Sequence, residues 1–173
     1  LFYAPCGIPI ASLADRTSRK WILSGSIAFW SIMTALCGLA RNFPMLLAAR
    51  IGTAIGEAGG SPPSHSLISD YFSLKKRGTA LSLYALGVPL GGMLGLYLGG
   101  HGNDWWGWRT TFIVAGLPGV AVALLVALTV KEPKREKQNA GKIYNPLSAL
   151  SLVAKRPAFL HMCLAAAMHA LVW

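Results

Sequence analysis

Long apolar runs alternate with short basic ones along this chain. A helix needs about 20 mostly apolar residues to cross the roughly 30 Å hydrocarbon core of a bilayer. Runs that reach or approach that length fall at residues 1–14, 21–40, 44–71, 79–100, 110–130 and from 157 to the end. The first is short enough to be only the last turns of a helix. Trp21, Trp105, Trp106 and Trp108 stand at or near the ends of these runs, where aromatic side chains anchor a span at the interface. The pattern predicts an all-α polytopic membrane protein. One clearly hydrophilic stretch, KEPKREKQNAG at residues 131–141, interrupts it. The expected layout is a transmembrane part over residues 1–130, a linker over 131–156 and the start of a second transmembrane part over 157–173. Within the linker, NPLSALSLVA at 145–154 has apolar residues at helical spacing. It fits either a short in-plane helix on the membrane surface or an ordinary connecting helix.

Composition agrees with a membrane protein. The 173 residues are 54% hydrophobic and only 13% charged, where a soluble domain carries about 25% charged residues, and the mean hydropathy is +0.49. A net charge of +10 would suit nucleic acid only if the basic residues gathered on one soluble face. They lie instead between apolar spans, and on one set of alternate turns. Arg16, Arg19, Lys20, Lys75, Lys76, Arg77, Lys131, Lys134, Arg135, Lys137, Lys142, Lys155 and Arg156 fall on one side, against Arg41 and Arg109 on the other. The excess of basic residues on cytoplasmic loops then places residues 15–20, 74–78 and 131–156 in the cytoplasm. Cys6, Cys37 and Cys163 sit in apolar runs at no metal-ligand spacing, so neither a disulfide framework nor a metal site is expected. The chain has no initiator Met and both begins and stops in apolar runs, as expected of a fragment.

The stretch at 44–71, PMLLAARIGTAIGEAGGSPPSHSLISDY, holds the candidate chemistry. Arg50 and Glu57 lie within it, and a charge at bilayer depth costs about 2.5–3.5 kcal/mol on insertion scales, which marks both as functional candidates. Seven residues bring them back to within about 20° of one face, with roughly 10 Å of helix rise between them. Flanked by Ile55, Ala58 and glycines, Glu57 is expected to be desolvated and able to take up a proton, while Arg50 stays charged and either holds an anionic phosphate or carboxylate or favours the Glu57 carboxylate when the two approach. A structural network of buried charges is the alternative. Ala48, Gly52, Gly56, Gly60 and Ser64 recur every fourth residue, a small-residue face for close helix packing. Pro62 and Pro63 remove two amide donors and predict a kink or interruption. Gly87, Gly91, Gly95 and Gly99 repeat the packing device in the fourth run, with Pro89 among them. His65 has a side chain of the type that titrates near neutrality, or serves as a hydrogen-bonded structural residue.

The loop ASLADRTSRK at 11–20 resembles the signature between the second and third helices of the major facilitator superfamily, G-x-L-a-D-R-x-G-R-K. Asp15, Arg16, Arg19 and Lys20 match it; Ala11 and Ser18 stand where the family usually has glycine. RIGTAIG at 50–56 looks like the fourth-helix arginine motif, with Ala54 in place of the usual glycine, and GVPLGG at 87–92 loosely resembles the fifth-helix glycine-proline motif. Together with KKRGTALSLYALGVPLGG, these stretches are most similar to the bacterial spinster-like branch, whose members are implicated in moving lysophospholipids and sphingoid lipids. The resemblance implies twelve helices in two six-helix halves, of which this chain would hold helices two to six and the start of the seventh. It also implies a conformational latch at Asp15, Arg16, Arg19 and Lys20, with Asp70 and Arg77 as its partner cluster. Proton coupling would involve Arg50 and Glu57.

The function expected is a proton-coupled secondary transporter working by alternating access in the cell membrane, with the bacterial inner membrane as the expected location. Its partners are a lipid or small-molecule substrate, protons, the bilayer and the remaining helices of the same protein. A small organic anion, such as a sugar acid or aromatic acid, is the alternative to an amphiphilic lipid; Tyr84, Leu86 and Val88 incline towards an apolar lining. A non-transporting receptor or scaffold is the alternative of another class. No cofactor and no enzymatic activity are expected, since no nucleophile with a base, metal cluster or G-x-x-x-x-G-K-[ST] loop occurs.

Overall fold

The computed structural model describes residues 3–133, with Pro157 and His161. The chain divides into two units, Leu1–Pro133 and Lys134–Trp173. The linker from residue 134, the expected in-plane helix at 145–154 and the run from 157 onward lie outside the described residues, apart from Pro157 and His161. So do the side chains of Asp15 and Arg16. The first unit consists of α1 (Tyr3–Arg16), α2 (Arg19–Gly38), α3 (Phe43–Ala58), α4 (Ser61–Tyr71), α5 (Leu74–Ala85) and α6 (Gly87–Thr129), with no strand among the described residues.

Local chemistry sets the breaks. Asn42 caps α3, its side-chain oxygen accepting from the Met45 N–H at 2.9 Å, with Pro44 in the first turn. The run at 44–71 is two helices. Gly59 and Gly60 donate to the carbonyls three residues back, on Gly56 and Glu57, at 3.1 and 3.0 Å, a tightened turn that ends α3. Pro62 and Pro63 then occupy the first turn of α4, where the missing amides would have had no intrahelical partner anyway. The double proline therefore marks the interruption without leaving the carbonyls of a longer helix unpaired.

The fourth and fifth apolar runs differ from expectation. Leu86 keeps helical angles between α5 and α6, so residues Leu74–Thr129 form one long apolar stretch. The division falls at Gly107, whose φ of 76° and ψ of 158° interrupt α6. Glycine takes that conformation without the Cβ clash any other residue would meet. The first half of α6 thus reaches Trp106, beyond the expected end at residue 100.

α2 is the centre of the bundle, in contact with α1, α3, α4 and α6. Glycines of its neighbours admit it on both sides. On α3, a Cβ at Gly52 would come within 2.8 Å of the Met33 side chain, and one at Gly56 within 2.8 Å of Trp30. On α6, one at Gly116 would lie 2.6 Å from the Ser31 carbonyl oxygen and one at Gly119 2.0 Å from Ser31 Oγ. Such small-residue faces gain dispersion contacts that larger side chains would prevent. Gly87, Gly91, Gly95 and Gly99 contrast with these: a Cβ at any of them meets open space. The packing expected of that stripe has no partner among the described residues, because no described helix lies along it.

α2 and the 74–129 stretch are each long and apolar enough to cross a membrane. Residues 82–101 are exposed throughout, with Leu96 81% and Val88 76% accessible. An uninterrupted apolar surface of that extent is stable against lipid or another helix, not against water.

Candidate functional site

Charged groups gather where the start of α2, the end of α4 and the residues after α6 meet. Arg19 is buried to 4% exposure. A buried guanidinium is tolerable only when paired, and Arg19 has two acids. Its Nη1 lies 2.6 Å from Asp70 Oδ2 and its Nε 3.0 Å from Glu132 Oε1. Nη1 also donates to Ser66 Oγ at 2.7 Å, while Nη2 finds no acceptor among the described residues. Glu132 accepts two more hydrogen bonds, from Ser18 Oγ at 2.8 Å and the Lys20 N–H at 2.9 Å. Burial works against the Glu132 charge, but the Lys20 amide, Arg19 and Ser18 outweigh it and hold its carboxyl below the usual carboxylate range. Tyr71 donates its hydroxyl proton to the Lys131 carbonyl alongside. Three segments more than 40 residues apart in sequence are fastened through one guanidinium.

This clasp overlaps the expected latch only in part. Arg19 and Asp70 are brought together. Lys20 contributes its backbone N–H, and its ammonium sits over the Trp21 ring at 5.1 Å. Arg77 does not join Asp70; it donates to the Ser69 carbonyl at 2.6 Å, because α5 starts a new direction after Phe72 and aims the guanidinium back at the end of α4. Glu132 and Ser18 were not predicted members. Ser18, at φ −72° and ψ 118°, has an ordinary extended backbone that needs no glycine, and its hydroxyl adds a bond that glycine lacks. A signal for Glu132 was present in the sequence: an acid one residue past the end of an apolar run.

Arg50 and Glu57 lie on α3 with exposed side chains, at the edge of the stripe of buried positions Ala49, Gly52, Thr53 and Gly56. They share a face, and no ion pair within 4 Å joins them. Arg50 instead places its guanidinium 4.7 Å from the centroid of the Phe112 ring on α6, a cation–π contact worth about 0.5–2 kcal/mol. The described residues leave Glu57 exposed, so they do not supply the desolvation expected for it.

At the other end of α2, Arg109 donates to the carbonyls of Gly38 and Ala40 and stacks on Trp108 at 4.5 Å. These carbonyls end a helix and have no intrahelical donors. A cation there also meets the negative end of the helix dipole. A Cβ on Gly38 would lie 2.2 Å from the Arg109 carbonyl oxygen, so the approach is as close as backbones allow.

The family model of the Major Facilitator Superfamily matches residues 1–173. The sphingosine-1-phosphate transporter SPNS2 of Danio rerio is 37% identical over 71% of this chain and 25% of its own length. The 3-(3-hydroxy-phenyl)propionate transporter of Escherichia coli is 39% identical over 66% of this chain and 28% of its length. Among solved structures, a bacterial homolog of the human lysosomal transporter Spinster, inward-facing and occupied, is 40% identical and superposes with a TM-score of 0.69. That alignment covers 82% of this chain and 36% of the other. The chain therefore spans less than a third of the length of these two curated relatives.

Proposed function

The chain belongs to the major facilitator superfamily, within its spinster-like branch, and from that premise we propose that it forms part of a proton-coupled transporter of an amphiphilic lipid. In this reading the chain supplies helices two to six of a twelve-helix protein and the start of the seventh. Residues 15–20, 74–78 and 131–156 face the cytoplasm. The observation that carries the reading is the open face of α3, where Arg50 and Glu57 stand exposed in a segment whose flanks are apolar. Charged groups at bilayer depth require water, a counter-charge or a ligand. Arg50 binds the anionic headgroup, and Glu57 alternates between carboxylic acid and carboxylate as the site opens to either side. The Arg19–Asp70–Glu132 clasp holds the cytoplasmic ends of the bundle together, so that it moves as one body. Other helices of the same protein cover the glycine face of α6.

Sphingosine-1-phosphate, the substrate named for one relative, has a phosphate head and an apolar tail; a chain with an exposed Arg50 and an exposed apolar stretch at residues 82–101 suits that chemistry. A small aromatic or sugar acid is the second reading, favoured by the similarity to a phenylpropionate transporter. The test is uptake by the full-length transporter in proteoliposomes, with labelled lysophospholipid and labelled sugar acid, for wild type and Glu57→Gln across a range of pH. Movement of the lipid with loss of the proton-gradient response in the variant supports the proposal. An unchanged pH dependence in Glu57→Gln would falsify the coupling role, and movement of the acid alone would replace the substrate.

A further inference from the structure

Arg19 and Arg50 are held in opposite ways. Two carboxylates compensate the charge of Arg19, at 2.6 and 3.0 Å. Arg50 makes no ion pair and no hydrogen bond among the described residues. The Phe112 ring of α6 holds it instead, with 4.7 Å from the guanidinium carbon to the ring centroid. An aromatic ring attracts a cation through its quadrupole, but it brings no charge of its own and no lone pair for an N–H group. The guanidinium is therefore given a place while its positive charge and its donors stay unspent.

The ring is itself braced. Gly107, at φ 76°, starts the second half of α6, and the Thr111 hydroxyl donates to its carbonyl at 3.0 Å. Trp108 and Phe112 then stand one turn apart on the same side of that helix. Their rings meet edge to face, with centroids 6.2 Å apart and planes at 87°. Trp108 carries the Arg109 guanidinium at 4.5 Å, and Arg109 donates to the Gly38 and Ala40 carbonyls at the end of α2. A continuous run of contacts thus leads from the end of α2, through two rings of α6, to Arg50 of α3. Phe112 is half-buried, so its position is set by its own helix and by Trp108 as well as by the arginine.

We propose that Phe112, braced by Trp108, is the positioning residue for Arg50: a neutral ring that fixes the guanidinium while leaving its charge and N–H groups to an anionic headgroup. This rests on the reading of Arg50 as the group that binds the headgroup. The ligand chemistry is a phosphate or a carboxylate, whose oxygens match the planar fork of guanidinium donors. An acid in place of the ring would fix the arginine equally well, but it would occupy those donors and repel the anion. An aliphatic side chain would leave the donors free and the arginine unplaced. A side chain ordered before the ligand arrives loses less freedom on binding, a difference of about 2- to 12-fold in affinity for one long side chain.

The test is equilibrium binding to the full-length transporter in nanodiscs, with radiolabelled lysophosphatidylglycerol as the phosphate probe and radiolabelled glucuronate as the carboxylate probe. Phe112→Leu, Phe112→Tyr, Arg50→Gln and the double variant of Phe112→Leu with Arg50→Gln are compared with wild type. Phe112→Leu is expected to weaken binding of the anion about 3- to 10-fold, and Phe112→Tyr, which keeps a ring, to stay within about twofold of wild type. In the Arg50→Gln background the leucine is expected to change nothing further, because the ring then has no cation to place. Phe112→Met, with apolar bulk and no ring, stands in if Phe112→Leu does not fold. Wild-type affinity in the ringless variants, with binding lost in Arg50→Gln, overturns the positioning role and leaves Arg50 as the headgroup ligand. Equal weakening by Phe112→Leu with and without Arg50, or a Phe112→Tyr as weak as Phe112→Leu, assigns the ring to packing or to the lipid itself and overturns the role too. Wild-type affinity in Arg50→Gln, or no binding of either probe to wild type, overturns the headgroup reading and the positioning role together.

Discussion

Removing the Glu132 carboxylate tests the clasp most directly. Glu132→Ala takes from Arg19 the acid 3.0 Å from its Nε and leaves the Ser18 hydroxyl and Lys20 amide without their acceptor. A hydrogen bond to a charged group contributes about 1.5–3 kcal/mol net, and orphaning a buried charge costs about 3–5 kcal/mol. Here Asp70 still pairs with the guanidinium, and the Glu132 side chain is 28% exposed, so water replaces part of the loss. The expected cost is about 2–3 kcal/mol of local stability. At about 1.4 kcal/mol per tenfold, that speeds amide exchange roughly 30- to 150-fold where local opening controls it. Hydrogen–deuterium exchange of the intact transporter, read on peptides covering residues 13–25, measures this. Lys20 is the sharpest reporter because its N–H bonds Glu132 itself. Acid acts in the same direction. A carboxyl held below its ordinary value contributes stability that is fully present above the unfolded range near about 4.3. The contribution is lost as pH falls through the lower folded value, so wild type should approach the variant only in acid, after correction for intrinsic exchange. A change below threefold at neutral pH, or an equal change when Arg19 is already Met, would refute the argument.

Two further outcomes follow from packing. Gly119→Val places carbon where Ser31 Oγ already lies; overpacking of this kind costs about 1–3 kcal/mol, and a lowered thermal midpoint in detergent, with Gly95→Val as the comparison at an open position, measures it. Arg109→Ala removes the donors from the Gly38 and Ala40 carbonyls and should raise exchange at the end of α2 by a factor corresponding to about 1–2 kcal/mol, while peptides at the Arg19 end stay protected.

Reading the chain without its structure works best where the constraint is local. Apolar runs locate the helices because a bilayer leaves backbone amides no partner but one another. The double proline marks a break because its missing amides are a property of the residue itself. Gly52 and Gly56, spaced four apart, announce a face that another helix approaches closely, since the period of a helix is fixed. The loop at 11–20 and the stretch at 44–71 were enough to indicate the family.

Tertiary structure decided which charges meet. Arg19 pairs with acids 51 and 113 residues away, and nothing in sequence spacing distinguishes Asp70 from Arg77 as a member of that cluster. The direction in which α5 leaves α4 does. Which glycine face finds a partner is likewise a matter of arrangement: Gly116 and Gly119 receive α2, while the equally regular stripe from Gly87 to Gly99 faces open space among the described residues. Helical period determines that residues share a face, but only the placement of whole helices determines what that face touches.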